Sequence, residues 1–176
     1  MSKKVLLCLL ACLMLLFACS RKVEVDYDLL ADKVIERLLS KELGVLVTNP
    51  SNGHRYGLVN IQMTWHEAKE YADRLGGHLA IITSVEEQDW VCQKFPYIRC
   101  WLGGTDENVE GEWKWVTGEK WDYTNWGPGE PNNLNSRGGE NALEMHLSPD
   151  NPFGLWNDLT AEAIFPTSLL VEFEEN

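Results

Sequence analysis

The chain has 176 residues, with 27 acidic against 15 basic side chains and a formal charge of −12. This length suits one domain with its own hydrophobic core, and a hydrophobic content of 44% is typical of a globular protein. The acidic balance argues against a nucleic-acid partner, because a phosphate backbone is bound by clustered lysines and arginines. It argues equally against a polybasic contact with anionic lipid.

The N-terminal residues have the pattern of an export signal. Two lysines precede an uncharged apolar stretch over residues 5–18, which is too short to span a bilayer and suits the core of a signal peptide. The sequence Leu-Phe-Ala-Cys that ends at Cys19 resembles the lipobox of bacterial lipoproteins. We predict a lipoprotein signal peptide over residues 1–18 and lipid attachment at Cys19. An ordinary signal peptide cleaved at the same point is the alternative.

Acylation of Cys19 would determine where the protein resides. Two or more acyl chains anchor a protein stably to a membrane, whereas one chain does so only marginally. Ser20 follows the cysteine, and by the lipoprotein resemblance this residue permits export to an outer membrane. We therefore expect a membrane partner through the N-terminal lipid anchor, in the bacterial cell envelope, at the outer membrane or cell surface.

Residues 19–50 are predicted to carry the lipid and to form a spacer. Leucine, valine and isoleucine recur at helical spacing from Asp26 to Leu43, and turn residues follow at 49–53. This helix either packs on its own domain or the membrane, or joins protomers as a coiled coil. Its length of under about three heptads cannot secure a coiled coil, which favours the first reading.

Residues 51–176 are predicted to form a domain that begins with two helices. A capping box starts at Thr64, and the glycine pair at Gly76 predicts the end of that helix. A second capping box starts at Ser84 and predicts a helix that reaches about Lys94.

Short strands follow the helices and alternate with loops. The predicted strands are 78–82, 100–102, 113–116, 142–147, 155–156 and 168–173. Helices first and strands later favour an α+β domain with one small antiparallel sheet. The segment from Thr117 to Ala142 is rich in Gly, Pro and Asn, and a loop of that length in a compact domain is usually functional.

Four short motifs then occur in the order of a known family. They are Trp-His-Glu-Ala, Trp-Leu-Gly-Gly, Glu-Pro-Asn and Trp-Asn-Asp, starting at Trp65, Trp101, Glu130 and Trp156. Each is weak alone, but four in order over about 120 residues are specific. On these motifs residues 51–176 resemble the C-type lectin-like domain, of the mannose-binding type. The resemblance implies an α+β fold with two helices, small antiparallel sheets and a long calcium-binding loop.

The long loop also offers calcium chemistry that stands without the family. Ca²⁺ takes about six to eight hard oxygen ligands and needs carboxylates to offset its charge. Pro131 accepts a cis bond at modest cost, which would turn Glu130 and Asn132 to the same side; in the family this proline is cis. The alternative is a polar turn that pairs locally. The candidate calcium ligands are Glu130, Asn132, Glu140, Asn157 and Asp158.

The same side chains suit a sugar diol whose two hydroxyl oxygens complete the calcium shell. Carboxylates accept the hydroxyl protons and the amide groups donate in return. By resemblance, the Glu-Pro-Asn order goes with mannose-type sugars, whose 3- and 4-hydroxyls are both equatorial. Two extra residues between Asn132 and Glu140 distinguish the rim from that of mannose-binding relatives. The candidate carbohydrate-binding residues are Glu130, Asn132, Glu140, Asn157 and Leu134.

A second, auxiliary calcium site is implied by the family. Two positions that are often acidic there are Asn in this chain, so the reduced charge predicts weaker binding. A solvated acidic loop is the alternative. Beside Glu140, the auxiliary candidates are Asp106, Glu110, Asn133 and Asn141.

The cysteines depart from the family pattern. By resemblance, its two disulfides would join the positions of Ala72 with Val171 and of Ala142 with Ala161, so both bridges are missing here. Once the signal and Cys19 are set aside, Cys92 and Cys100 remain. In an exported protein they form either a local disulfide or two buried thiols.

These patterns lead to a calcium-dependent glycan-binding lipoprotein that is not an enzyme, with a mannose-type glycan or glycoprotein as its partner. Trp121 and Trp126, in the long loop, are the tryptophans that we expect at the binding surface. A protein-binding adhesin indifferent to sugar is the alternative. A glycosidase would use Glu130 and Glu140 as paired carboxylates, but metal binding would keep both ionised and unfit as a general acid.

Overall fold

The structure is a computed structural model that describes Leu43 and residues 45–96, 98–134, 138–166 and 168–174. The predicted signal peptide, Cys19 and all of the predicted spacer helix before Leu43 lie outside these residues. In the described part of the chain, no helix has both the length and the apolar character needed to cross a membrane.

Two helices form where the capping residues predict them. Helix α1 spans Trp65–Leu75; the Thr64 side chain accepts from the Glu67 backbone, and Glu67 returns a bond to the Thr64 amide, so the capping box is complete. Gly76 ends α1 with φ 88°, a left-handed conformation that glycine adopts without a Cβ clash. The apolar positions at helical spacing bury Trp65 and two alanines against the sheet.

Helix α2 spans Val85–Lys94 and begins differently from the prediction. Ser84 caps it by accepting from the Glu87 amide, as expected. The Glu87 carboxylate does not return to Ser84; it accepts from the Thr83 amide at 2.7 Å. The predicted second capping box is therefore half formed, because Glu87 is buried and belongs to a polar network described below.

Within the described residues, eight strands form one sheet. Its order is β1-β2-β8-β4-β6-β7, with β3 paired to β8 and β5 paired to β4. The strands are β1 (Leu46–Thr48), β2 (Arg55–Val59), β3 (His78–Leu79), β4 (Arg99–Thr105), β5 (Lys114–Trp115), β6 (Ala142–Ser148), β7 (Asn151–Leu159) and β8 (Ser168–Phe173).

The sheet is larger than the sequence predicted and is not wholly antiparallel. The central strands β4 and β8 run parallel, with Cys100 opposite Ser168, while the other pairs are antiparallel. Strand β1 lies within residues 19–50, the predicted spacer, and it pairs with β2. Neither β1 nor β2 was predicted, since their pairing depends on the distant strand β8.

The core lies between the helices and the sheet and continues under the long loop. Cys100 is buried and Cys92 half-buried, and both are free thiols, so of the two alternatives left open the structure shows thiols and not a disulfide. Ala72 and Val171, which match one family disulfide, are fully buried as small apolar side chains. Gly57 allows a close approach, since a Cβ there would meet the Leu43 side chain at 3.0 Å.

A buried polar network joins β2, β8 and α2. The Tyr56 hydroxyl lies 2.5 Å from Glu87 Oε1 and 2.7 Å from Glu172 Oε1, and all three side chains are buried. Glu172 also accepts from the Ile81 amide at 3.0 Å and contacts His54 Nδ1 at 2.6 Å. Burial raises the pKa of the Glu172 carboxyl. Tyr56 therefore supplies the single hydroxyl proton that two buried carboxyl groups share.

We expect Tyr56→Phe to lower the free energy of unfolding by about 1–3 kcal/mol, because two buried acceptors lose their common donor. Urea unfolding at neutral pH measures this change. Tyr123→Phe is the matched control, since that half-buried tyrosine lies outside the network. Equal losses in the two variants would contradict a special role for the Tyr56 hydroxyl.

Candidate functional site

The long loop is attached beside the last residues of β7. The loop forms an isolated parallel bridge between Trp126 and Trp156. Two backbone bonds of 2.8 Å make this contact, from Gly127 N to the Trp156 carbonyl and from Trp156 N to the Asn125 carbonyl. Since β7 also pairs with β6, the loop is attached to the sheet close to Asn157 and Asp158.

Five tryptophans support this attachment from below: Trp113, Trp115, Trp121, Trp126 and Trp156. Trp121 lies with its ring centroid 4.2 Å from that of Trp115, and Trp126 lies 4.8 Å from Trp113. Both loop tryptophans also contact Trp156, which is itself buried. The expectation that Trp121 and Trp126 form the binding surface is therefore wrong, because their rings pack against other rings and hold the loop.

The carboxylate of Asp158 is the centre of the site. It is fully buried and accepts from two consecutive loop amides, Asn132 N at 3.0 Å and Asn133 N at 2.7 Å. The Glu130–Pro131 peptide bond is cis, as the resemblance implied. The Asn132 amide group donates to Glu130 Oε2. Three of the five predicted calcium ligands therefore meet directly.

Glu140 approaches the same loop segment from its other end. Its carboxylate accepts from Leu134 N at 3.0 Å, and its own amide donates to Asn133 Oδ1 at 2.9 Å. Glu140 therefore reaches the Asn132–Leu134 segment through two hydrogen bonds, each between a side-chain oxygen and a backbone amide. The Leu134 side chain is 78% exposed beside it.

Asn157 is engaged within its own strand. Its Nδ2 donates to the backbone carbonyl of Asp158 at 2.6 Å. The sequence predicts that this amide group donates to a sugar hydroxyl and not to the Asp158 carbonyl. In the structure they satisfy each other.

Negative charge accumulates at the centre of the site. Burial, the contact with Asp158, and the charges of Asp158 and Glu140 together raise the pKa of Glu130 to about 7. Burial likewise raises the pKa of Glu140, with the charge of Asp158 adding to it, while the bond from Leu134 opposes the rise. The hydrogen-bond donors to these carboxylates are uncharged amides: the Asn132 side chain for Glu130 and the Leu134 backbone for Glu140.

The auxiliary residues form a neighbouring cluster. Asp106 is only 2% exposed; its Oδ2 accepts from Gly111 N at 2.8 Å, while its Oδ1 has no partner. Asn141 Oδ1 is also buried without a partner. Asn141 Oδ1 and Asn133 Oδ1 lie near one point, 2.6 and 3.2 Å from where a Cβ on Gly139 would stand. Glu110 is exposed, and the charges of Asp106 and Asp158 add to the effect of burial in raising its pKa.

The residues of the site have the donor types that a divalent cation needs, but in this structure only some of the donor oxygens face one another. Among the described residues, no three His, Cys, Asp or Glu side chains are arranged to hold a metal ion, because Asp158 and Glu140 turn oxygens toward backbone amides. The donors are nevertheless carboxylate and amide oxygens, which calcium prefers. The partnerless buried oxygens of Asp106 and Asn141 are unusual in a folded protein and suit a cation.

One neighbouring group of polar residues was not predicted as functional. Arg99, Glu144 and His146 line a cavity beside Glu130 and Asn157. The only sequence signal for them is the alternation along β6, which places Glu144 and His146 on the same face. No motif singles them out.

The model of the Lectin C-type domain family matches residues 61–166. The chain belongs to this family. Its proteins are generally carbohydrate binders without enzymatic activity, and they generally bind Ca²⁺. The α+β fold with two helices and a sheet, predicted by resemblance, is confirmed.

Three comparisons illustrate this membership. The chain is 41% identical over 100 residues to hepatic lectin of Gallus gallus, covering 56% of this chain and 45% of that protein. It is 32% identical over 119 residues to C-type lectin domain family 4 member F of Mus musculus, covering 65% and 21%. The chain thus spans less than half of these relatives. The cow CD23 carbohydrate-recognition domain, solved in the presence of a GlcNAc2Man3 oligosaccharide, is 29% identical with a TM-score of 0.62, covering 70% and 89%.

We expect Asp158→Asn to accelerate amide hydrogen exchange at Asn132 or Asn133 by about tenfold or more, because the two amides donate to different oxygens and the substitution replaces one of them with an NH₂ group that cannot accept. Exchange measured by NMR without calcium tests this. Asp150→Asn, on the exposed turn between β6 and β7, is the control. Unchanged exchange in Asp158→Asn would show that the loop is held by other contacts.

Proposed function

We propose that the domain binds a glycan through calcium held by the long loop, and that it recognises a vicinal equatorial diol of a mannose-type sugar. The observation that carries this is the direct meeting of the loop residues Glu130 and Asn132 with Asp158 of β7. The oligosaccharide named with the CD23 domain contains mannose, which supports the sugar class.

Five side chains would hold the ion. Glu130, Glu140 and Asp158 supply carboxylate oxygens, and Asn132 and Asn157 supply amide oxygens. When bound, calcium supplies coordination positions for two sugar hydroxyls. The protein residues then orient those hydroxyls: Glu130 and Glu140 accept their protons, while the amide groups of Asn132 and Asn157 donate to their remaining lone pairs.

Binding requires local exchange of hydrogen bonds. Asn157 Nδ2 donates to the Asp158 carbonyl at 2.6 Å, and Asn132 Nδ2 donates to Glu130. In both contacts an amide group that would donate to the sugar is already engaged within the protein. Both contacts must open when Asn132 and Asn157 turn toward a sugar. The backbone bonds of Asp158 keep the loop in place while they do so.

The exposed Leu134 side chain gives the rim an apolar element. It is 78% exposed on the loop between Asn132 and Glu140, so it is available to pack on the apolar face of a pyranose ring. Burial of such surface contributes about 25 cal/mol per Å². A single monosaccharide site of this kind is expected to bind weakly, at about millimolar concentration.

The cellular setting is a second part of the proposal. We propose that Cys19 carries the lipid and that the domain is displayed on the bacterial cell envelope. Clustering of many copies on one membrane raises avidity without new contacts. Such clustering would offset the weak affinity of a single site.

A protein-binding adhesin is the alternative that one observation favours. The exposed Leu134 and the backbone engagement of Asp158 and Glu140 would also suit a loop surface that contacts a protein without sugar. Competition with free mannose separates the two, since a protein interface would not respond to the sugar.

We expect Glu130→Gln to weaken Ca²⁺ binding at least about tenfold, because the site loses one of its three carboxylates. Isothermal titration of the full-length protein with Ca²⁺ measures this, and Glu119→Gln, exposed elsewhere on the loop, is the control.

On a glycan array, binding to mannose-containing glycans should disappear with a calcium chelator. Binding that persists in chelator would remove the metal mechanism.

A further inference from the structure

A cavity of about 330 Å³ lies beside the proposed calcium site. Glu130 and Asn157 form the end of the cavity that adjoins the site, and the loop residues Gly127 and Pro128 form one wall. The cavity therefore begins where the proposed diol site ends. Its volume is at the lower limit of ligand pockets, about 300–1,000 Å³, which suits one small ring.

The floor of the cavity is built from paired strands. Glu144 and His146 alternate on β6 and lie opposite Asn157 and Leu155 of β7. Side chains two residues apart on a strand share a face, so these four side chains belong to one surface. Arg99 of β4, opposite His146, extends that surface.

The charges on the floor are fixed and compensated. Glu144 is 1% exposed and accepts from Arg99 Nε and, at 3.0 Å, from Arg99 Nη2. The Arg99 guanidinium also lies 5.0 Å over the Phe165 ring. This pair leaves no net charge on the floor. The cavity is therefore matched to a neutral ligand and unsuited to an anionic one.

Three features of the lining suit a sugar ring. Asn151 Oδ1 is buried with no partner among the described residues, although its Nδ2 donates to the His146 carbonyl at 2.7 Å; this oxygen is an acceptor that the protein leaves unused. The exposed His146 imidazole offers a donor and an acceptor. Leu155 and Pro128 give apolar surface for the C–H face of a ring.

We propose that this cavity binds the neutral pyranose residue that adjoins the sugar held at the calcium site, so that the domain recognises at least a disaccharide. The proposal rests on the proposed function, since the first sugar positions the second. Asn157 and Glu130 border both positions. His146 and Asn151 contact hydroxyls of the second ring, and Leu155 packs on its face.

The test compares methyl mannoside with a set of mannobioses that differ in linkage, by isothermal titration into the full-length protein with Ca²⁺. Wild type should bind one mannobiose about fivefold to tenfold more tightly than methyl mannoside, as one or two added hydrogen bonds would give. His146→Ala should lose most of this gain and retain its affinity for methyl mannoside. His146→Gln, which keeps a donor and an acceptor, should recover part of it.

Asp150→Ala is the matched control, because Asp150 is exposed on the same hairpin and does not line the cavity; it should bind as wild type. The proposal is overturned if no mannobiose binds more tightly than methyl mannoside, or if His146→Ala and a cavity-filling His146→Trp both keep the full gain. If wild type binds methyl mannoside and either of these results is obtained, only the second sugar position in the cavity is ruled out. Absence of methyl mannoside binding removes the proposed function and this proposal together.

Discussion

The buried carboxylate of Asp158 is the constraint on which the site depends. It lies two residues after Trp156, a residue of the core, and holds the amides of Asn132 and Asn133. The position of the loop is thereby fixed to the last residues of β7, an edge strand of the sheet. Hydrogen bonds between an ionised acceptor and backbone amides are strong, about 1.5–3 kcal/mol each where they are net stabilising. Glu130 and Glu140 are in turn placed by their contacts with the loop segment that Asp158 holds.

The loop is held at its base by aromatic packing. The family positions for disulfides are occupied by small apolar residues, such as the fully buried Ala72 and Ala142, and the two described cysteines are free. Trp121 and Trp126 instead pack on the buried tryptophans beneath them. Aromatic pairs add about 0.5–1.5 kcal/mol beyond the area they bury. A long loop rich in glycine and proline can thus be ordered without a covalent link.

Features set by neighbouring residues could be predicted from the sequence, and features set by distant pairing could not. The helix that starts at Thr64 follows from local capping chemistry and is confirmed. Glu87 had the same local pattern, but burial beside Tyr56 directed its carboxylate elsewhere. The site motifs were found because their order resembles that of the C-type lectin-like domain, and their residue types also match calcium chemistry. The cavity beside them was not, since Glu144 and His146 acquire their neighbours only through strand register.

We propose that acidic and amide side chains from the loop and from β7 form one calcium-dependent sugar site. NMR amide shifts of the isotopically labelled full-length protein test it most directly, recorded first with added Ca²⁺ and then with methyl mannoside. Both additions should shift the amides of Asn132, Asn133, Glu140 and Asn157, and the sugar should act only when Ca²⁺ is present. Shifts confined to other parts of the domain, or a sugar response that is the same without Ca²⁺, would contradict it.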